Sequence, residues 1–218
     1  MERITARPSR KARTQEKPSK LSIDQRLLEA MERLLEDNKN FATLSIEQLT
    51  KEAGISRGTF YLHFKDKNEL VVRLIEHLTG IIVDSIGNWG LDVEWANAAD
   101  VEVAVDGMMR TLYKHRAIMV AIRDMMVSDG NIRELYENMI NHVSLRAQKS
   151  VATVMKRGEA RDGMSTNVGN VLTWIVALYT NDIIDKVDEA GLEDAIRSMK
   201  YICVTTIFSG AKGVPVSK

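Results

Sequence analysis

Leu27, Leu28, Met31, Leu34 and Leu35 recur at the i, i+1, i+4, i+7, i+8 spacing that lines one face of a helix. The spacing predicts a first amphipathic helix from Ser22 to about Asp37–Asn40. Ser45, with Gln48 three residues on, marks the start of a short second helix that stops before Gly54. Ser56 caps a third short helix. Asp66 followed by Glu69 opens a long fourth helix, running to about Gly87, with Leu70, Val71, Leu74, Leu78, Ile81 and Ile82 on one side.

The period then breaks. Gly87, Trp89, Gly90 and Trp95 fall in a segment, 87–97, without helical spacing, which reads as the boundary between a small N-terminal unit and a larger helical one. Beyond it the pattern predicts helices near 98–114, 116–127, 131–157, 165–189 and 193–210, punctuated by Gly130, the Gly158–Gly163 segment and Gly191. Proline occurs only at positions 8, 18 and 215, and no stretch sustains the two-residue alternation of a half-buried strand. The expected fold is all α. No internal repeat of solenoid length is visible.

Net charge is zero, which argues against a nucleic-acid partner until its distribution is considered. Residues 1–20 hold seven basic side chains (Arg3, Arg7, Arg10, Lys11, Arg13, Lys17 and Lys20) against Glu2 and Glu16, so the rest of the chain is acidic by the same excess. With two prolines and no apolar period, this arm is expected to have no fixed structure. It reads either as a phosphate-tracking arm or as a solvated tail.

Composition excludes more than it identifies. The single cysteine, Cys203, cannot form a disulfide within the chain, and His63, His77, His115 and His142 show no metal-ligand spacing, so neither a metal nor another cofactor is expected. His115, followed by Arg116, reads as a helix-end residue. The sequence shows no paired carboxylates with histidines, no phosphate loop and no nucleophile turn, which argues against an enzyme. No apolar leader and no run long enough to cross a bilayer are visible, so the cytoplasm is the expected location, without a membrane partner.

The informative stretch is 45–64, SIEQLTKEAGISRGTFYLHF. Two short capped helices meet at Ala53-Gly54-Ile55, where glycine reaches positive φ without a Cβ penalty. Ile46, Leu49, Ala53, Ile55, Phe60 and Phe64 can bind these helices to each other and to the first. The second of them then presents Arg57, Gly58, Thr59, Tyr61 and His63 outward. A helix of this size fits the major groove of B-DNA, with its N-terminal residues near base edges. Arg57 suits guanine O6/N7; Gly58 lets the backbone approach; Thr59 and Tyr61 offer hydroxyls to phosphates. Ser45 and Ser56 at the two caps, and Lys65 and Lys67 at the start of the long helix, complete the DNA-binding set, since a helix N-terminus favours phosphate. The expected division is a basic arm 1–20, a helix-turn-helix domain 21–66 and a larger domain 67–218, connected by helix 66–87.

The stretch GISRGTFYLHFKDKNEL, 54–70, closely resembles the signature of the TetR family of bacterial one-component repressors. The likeness is strong over about residues 22–80. Beyond them HRAI (115–118) and CVTTIFSG (203–210) resemble the ethionamide-resistance repressor branch more weakly. Thr50 departs from the alanine usual in the family. The resemblance implies a homodimer whose two reading helices enter successive major grooves of a palindromic operator, with Thr59, Tyr61 and Lys67 holding phosphates. It further implies a ligand cavity in the larger domain, whose occupancy the fourth helix transmits to the reading heads as a pendulum-like shift. Repression is the family's common mode.

Two sets of residues then acquire roles. The last two predicted helices are apolar on more than one side, so they are expected to bury a second face against a partner subunit through Ile175, Leu178, Tyr179, Tyr201, Val204 and Phe208; a central place in the monomer core is the other reading. Methionines and aromatics adapt to apolar ligands of varied outline. The cavity candidates are therefore Met108, Met109, Leu112, Met125, Met126, Tyr136, Met139, Ile140, Val143, Trp174 and Cys203, with Asn170 and Thr173 as polar handles; plain core packing is the better explanation of any one of them alone, and the set carries more weight than its members. Gly107 and Gly169 fall mid-helix and mark either a close approach or incidental small residues. The function expected is a ligand-released repressor of a palindromic operator. A nucleoid or adaptor protein that binds DNA without a small-molecule effector is the alternative.

Overall fold

The computed structural model describes residues 22–37, 41–87, 89 and 96–210. The basic arm, and Gly90 and Trp95 of the expected boundary segment, lie outside these. Among the described residues the chain is helical throughout, with one isolated bridge between Ala160 and Phe208.

Local capping chemistry sets the N-terminal helices. In α1 (Ile23–Glu36) and α2 (Ile46–Ala53), Ser22 and Ser45 accept the backbone N–H three residues on, while Gln25 and Gln48 accept the serine's own N–H. Ser56 caps α3 (Arg57–His63) at Thr59 N, and Asp66 caps α4 (Lys67–Ser85) at Glu69 N. Leu27, Met31, Leu49, Phe60, Phe64 and Leu70 are all fully buried, so α1 to α3 and the start of α4 share one apolar centre.

The larger part comprises α5 (Ala98–Lys114), α6 (Arg116–Met126), α7 (Gly130–Lys156), α8 (Asn167–Ile183) and α9 (Glu189–Ile207). α7 and α8 form an antiparallel hairpin; α5 packs on α4, α8 and α9, and α6 packs on α7 and α1. Two mid-helix glycines mark close crossings. A Cβ on Gly169 would stand 2.7 Å from the Ala147 carbonyl carbon of α7, and one on Gly107 would stand 1.9 Å from the Ser85 carbonyl oxygen of α4. Side chains cannot occupy either seam.

One expected boundary is corrected. The pattern placed a continuous helix over 165–189 and a break at Gly191, but α8 stops at Ile183 and Gly191 lies in the first turn of α9. Asp188 is responsible: its carboxylate accepts the Gly191 N–H at 2.9 Å, starting a new helix where apolar spacing alone suggested continuation.

A polar clasp holds α9 to α5. Asp106 accepts Lys200 Nζ at 2.7 Å and Arg110 Nε at 2.8 Å. Burial alone would raise the Asp106 carboxyl, but the hydrogen bonds from Lys200 and Arg110 outweigh it and hold the group below its ordinary 3.8. A depressed carboxylate stabilises the fold above its unfolded value and loses that contribution as pH falls through the folded one. Asp106→Asn is therefore expected to lower stability at pH 7 by about 1 kcal/mol. In denaturant melts the difference from the wild type should shrink on acidification below 3.8.

Candidate nucleic-acid interface and interior cavity

The turn between α2 and α3 is built by backbone geometry. Gly54 adopts φ +63° at the C-cap of α2, and Ile55 N donates to Thr50 O at 2.9 Å. Arg26 of α1 then donates from Nη2 to the carbonyls of Ala53 and Gly54, both at 2.7 Å, tying the turn to the first helix. Sequence reasoning missed Arg26, because a long side chain reaching distant carbonyls leaves no periodic signal. Thr50 is buried, with its hydroxyl donating to Glu47 O at 3.1 Å inside α2.

α3 is anchored by Phe60 and Phe64, whose rings lie 5.5 Å apart, and this fixes what faces away. Ser56, Arg57, Gly58, Tyr61 and Lys65 are at the surface, as is Ser45 at the cap of α2. Tyr61 is 51% exposed, and Leu62, which the sequence reading passed over, is 85% exposed. The alternation around Phe60 and Phe64 carried the signal for Leu62. Thr59 is half-buried, with Oγ1 2.9 Å from Ser56 Oγ. A Cβ added to Gly58 would meet nothing closer than Ser56 Oγ at 3.6 Å, so the protein's own packing does not require glycine there.

Two expectations at this surface are corrected. Lys67 does not stand free for a phosphate: Nζ donates to Phe41 O at 2.9 Å and Leu44 O at 3.0 Å and lies 4.4 Å from the centre of the Phe41 ring. Burial lowers its pKa. The lysine thereby ties α4 to the loop before α2. The start of α4 is likewise served by its own carboxylates, with Asp66 accepting Glu69 N and Glu69 accepting Lys65 N at 2.7 Å. His63 is exposed like Tyr61 and Leu62 before it on α3, with Nδ1 3.3 Å from Asp24 Oδ1 of α1.

In the larger part an apolar cavity of about 50 Å³ lies among α5, α7, α8 and α9, with Ile86 and Trp89 also on its wall. Of the expected ligand set, Met108, Val143, Thr173 and Cys203 line it. Met109, Leu112, Met125, Met126, Tyr136, Met139, Ile140, Asn170 and Trp174 do not. Met109, Leu112, Tyr136, Met139 and Ile140 are packed into the core, Met125, Met126 and Trp174 lean half-buried against it, and the Asn170 side-chain oxygen accepts the Ser144 hydroxyl at 2.6 Å. Ala104, Ala147, Gly169 and Leu172 take their place on the wall. Sequence periodicity cannot separate such residues from ordinary core. The lining contains no charged side chain: Thr173 donates to Gly169 O at 2.8 Å, and burial pushes the Cys203 thiol up to about 12, so it stays neutral.

α8 and α9 also expose apolar side chains: Ile175, Leu178 and Tyr179 on the first and Tyr201 on the second, with Val171 and Ile202 as unforeseen members of the set. Val204 and Phe208, expected on that face, are buried in their own chain at 6% and 8% exposure. Phe208 leaves the helix at the C-cap of α9 and bridges to Ala160, which turns it inward. Among the described residues no group of histidines, cysteines and carboxylates is placed to hold a metal, and no helix is long and apolar enough to cross a membrane.

Residues 27–74 match the family described as bacterial regulatory proteins, tetR family. Over 205 residues the chain is 23% identical to the HTH-type transcriptional regulator EthR of Mycolicibacterium smegmatis, covering 91% of this chain and 92% of EthR. The HTH-type transcriptional regulator YerO of Bacillus subtilis is 40% identical over 50 residues, 23% of this chain and 17% of YerO's length. Among solved structures, SmeT, the repressor of the Stenotrophomonas maltophilia multidrug efflux pump SmeDEF, superposes with a TM-score of 0.67 at 16% identity, over 89% of this chain and 94% of SmeT.

Proposed function

We propose that the chain, whose residues 27–74 match the tetR family of bacterial regulatory proteins, acts as a homodimeric repressor whose α3 helices bind successive major grooves of a palindromic operator. In this reading residues 21–66 are the reading head, 67–218 the effector and pairing domain, and α4 the connection. One observation supports it above the others: α3 is pinned by Phe60 and Phe64 while Arg57, Gly58 and Tyr61 face outward. Arg57 is the side chain for guanine, Tyr61 and Lys65 serve phosphates, and the bare backbone at Gly58 admits the groove wall. Lys67 contributes by fixing the loop before α2.

The effector belongs to the cavity beside Trp89. With no charge in the lining, a carboxylate or ammonium would be buried without a partner, which costs several kcal/mol, so the ligand class is neutral and apolar. Ile175, Leu178, Tyr179 and Tyr201 form the pairing face. Dimerisation matters because one short helix buries too little DNA surface for tight binding.

Fluorescence anisotropy on a fragment of the chain's own promoter, with excess competitor DNA, tests the proposal. Arg57→Ala is expected to lose about 1–3 kcal/mol of preference for the operator over unrelated DNA, while leaving the salt dependence nearly unchanged. Equal binding of every sequence by the wild type would overturn the repressor reading and favour a nucleoid protein.

A further inference from the structure

His115 occupies the junction where α5 ends and α6 begins, as the C-cap of one and the N-cap of the other, yet its side chain caps neither helix. It reaches instead to α1, where Nδ1 lies 2.6 Å from Glu32 Oε1, with the two side chains 13% and 24% exposed. Leu28 of α1, Leu74 and Leu78 of α4 and Ile118 of α6 supply the apolar contacts of this seam, around a cleft of about 120 Å³ that Gln25, Glu29 and His77 also line. Apolar contacts resist separation but tolerate sliding, because they have no preferred direction. A short hydrogen bond between partly buried groups does have one. The neighbouring carboxylate, Glu29, is engaged by Arg33, which also holds Glu52 of α2.

The position of His115 connects two distant places. Val101, Ala104, Val105 and Met108 of α5 line the effector cavity, and His115 ends the same helix two turns beyond Met108. A shift of α5 at the cavity therefore reaches His115 along an unbroken helix. Glu32 shares α1 with Arg26, whose guanidinium holds the α2–α3 turn. We propose that the His115–Glu32 contact is a positioning latch that fixes the reading head relative to the effector domain and carries displacement of α5 at the cavity to the head through α1. The proposal deepens the repressor reading and rests on it for its regulatory meaning, while the latch itself is a property of the seam.

The test uses the full chain with Lys51→Cys on α2 and Glu137→Cys on α7, both surface positions, labelled with nitroxides and diluted into unlabelled protein; buried Cys203 escapes the label. Pulsed electron resonance then gives the head-to-body distance distribution within one chain. The latch predicts a broader distribution for Glu32→Gln and for His115→Gln, and no further broadening when both are present. Operator affinity is expected to change by about three- to tenfold in each single variant and by the same factor in the double, the signature of one shared interaction. Distributions identical to wild type, or affinity changes that multiply in the double, would overturn it. If the distributions broaden as expected but the wild type selects no operator, the repressor reading fails and the latch stands.

Discussion

Leu178→Asp is expected to leave the chain monomeric and to weaken operator binding by about 100-fold or more. Leu178 is 54% exposed on α8, beside Ile175 and Tyr179, so aspartate costs the isolated subunit little. In the proposed pair the same side chain lies between subunits, and a carboxylate there is buried without a partner. Each head then binds its half-site alone, and the effective concentration supplied by linkage is lost. Sedimentation of the variant, together with anisotropy on a full operator and on a half-site, reads both effects. A variant that remains dimeric with full affinity would place the pairing face elsewhere.

The second large effect is on stability. Gly107→Ala puts a methyl group 1.9 Å from the carbonyl oxygen and 2.8 Å from the carbonyl carbon of Ser85, backbone atoms that cannot rotate away. α4 and α5 must separate, at a cost of about 3 kcal/mol. For a chain of this size the melting temperature should fall by about 10 °C. Gly58→Ala is the control. With 3.6 Å of room it should melt at or slightly above the wild-type temperature, since alanine favours helix, while its DNA affinity falls. Calorimetry showing equal melting for Gly107→Ala and the wild type would contradict the close crossing.

The reading unit was legible because its signals are local. Ser22, Ser45, Ser56 and Asp66 each bond a backbone group within three residues, and such bonds follow directly from order along the chain. The roles of Lys67 and Arg26 were not legible, because each long side chain reaches carbonyls more than twenty residues away. Gly107 and Gly169 stood out as costly mid-helix glycines, but only the fold names Ser85 and Ala147 as the backbones they admit. The cavity was the least readable part. Met108 lines it and Met109 does not, since adjacent residues on a helix point about 100° apart and both directions are apolar here. Val204 and Phe208 were misplaced for a related reason: apolar character on two sides of α9 does not say which side meets the chain's own core.

In the proposed repressor α3 is one of two identical reading heads. Selection of bound sequences from a random DNA pool by the full chain, followed by sequencing, tests this directly. The expected result is a palindrome whose half-sites lie about one helical turn, or a multiple of it, apart, with a guanine preference that Arg57→Ala relaxes. Recovery of unrelated sequences, or of a single half-site without symmetry, would contradict it.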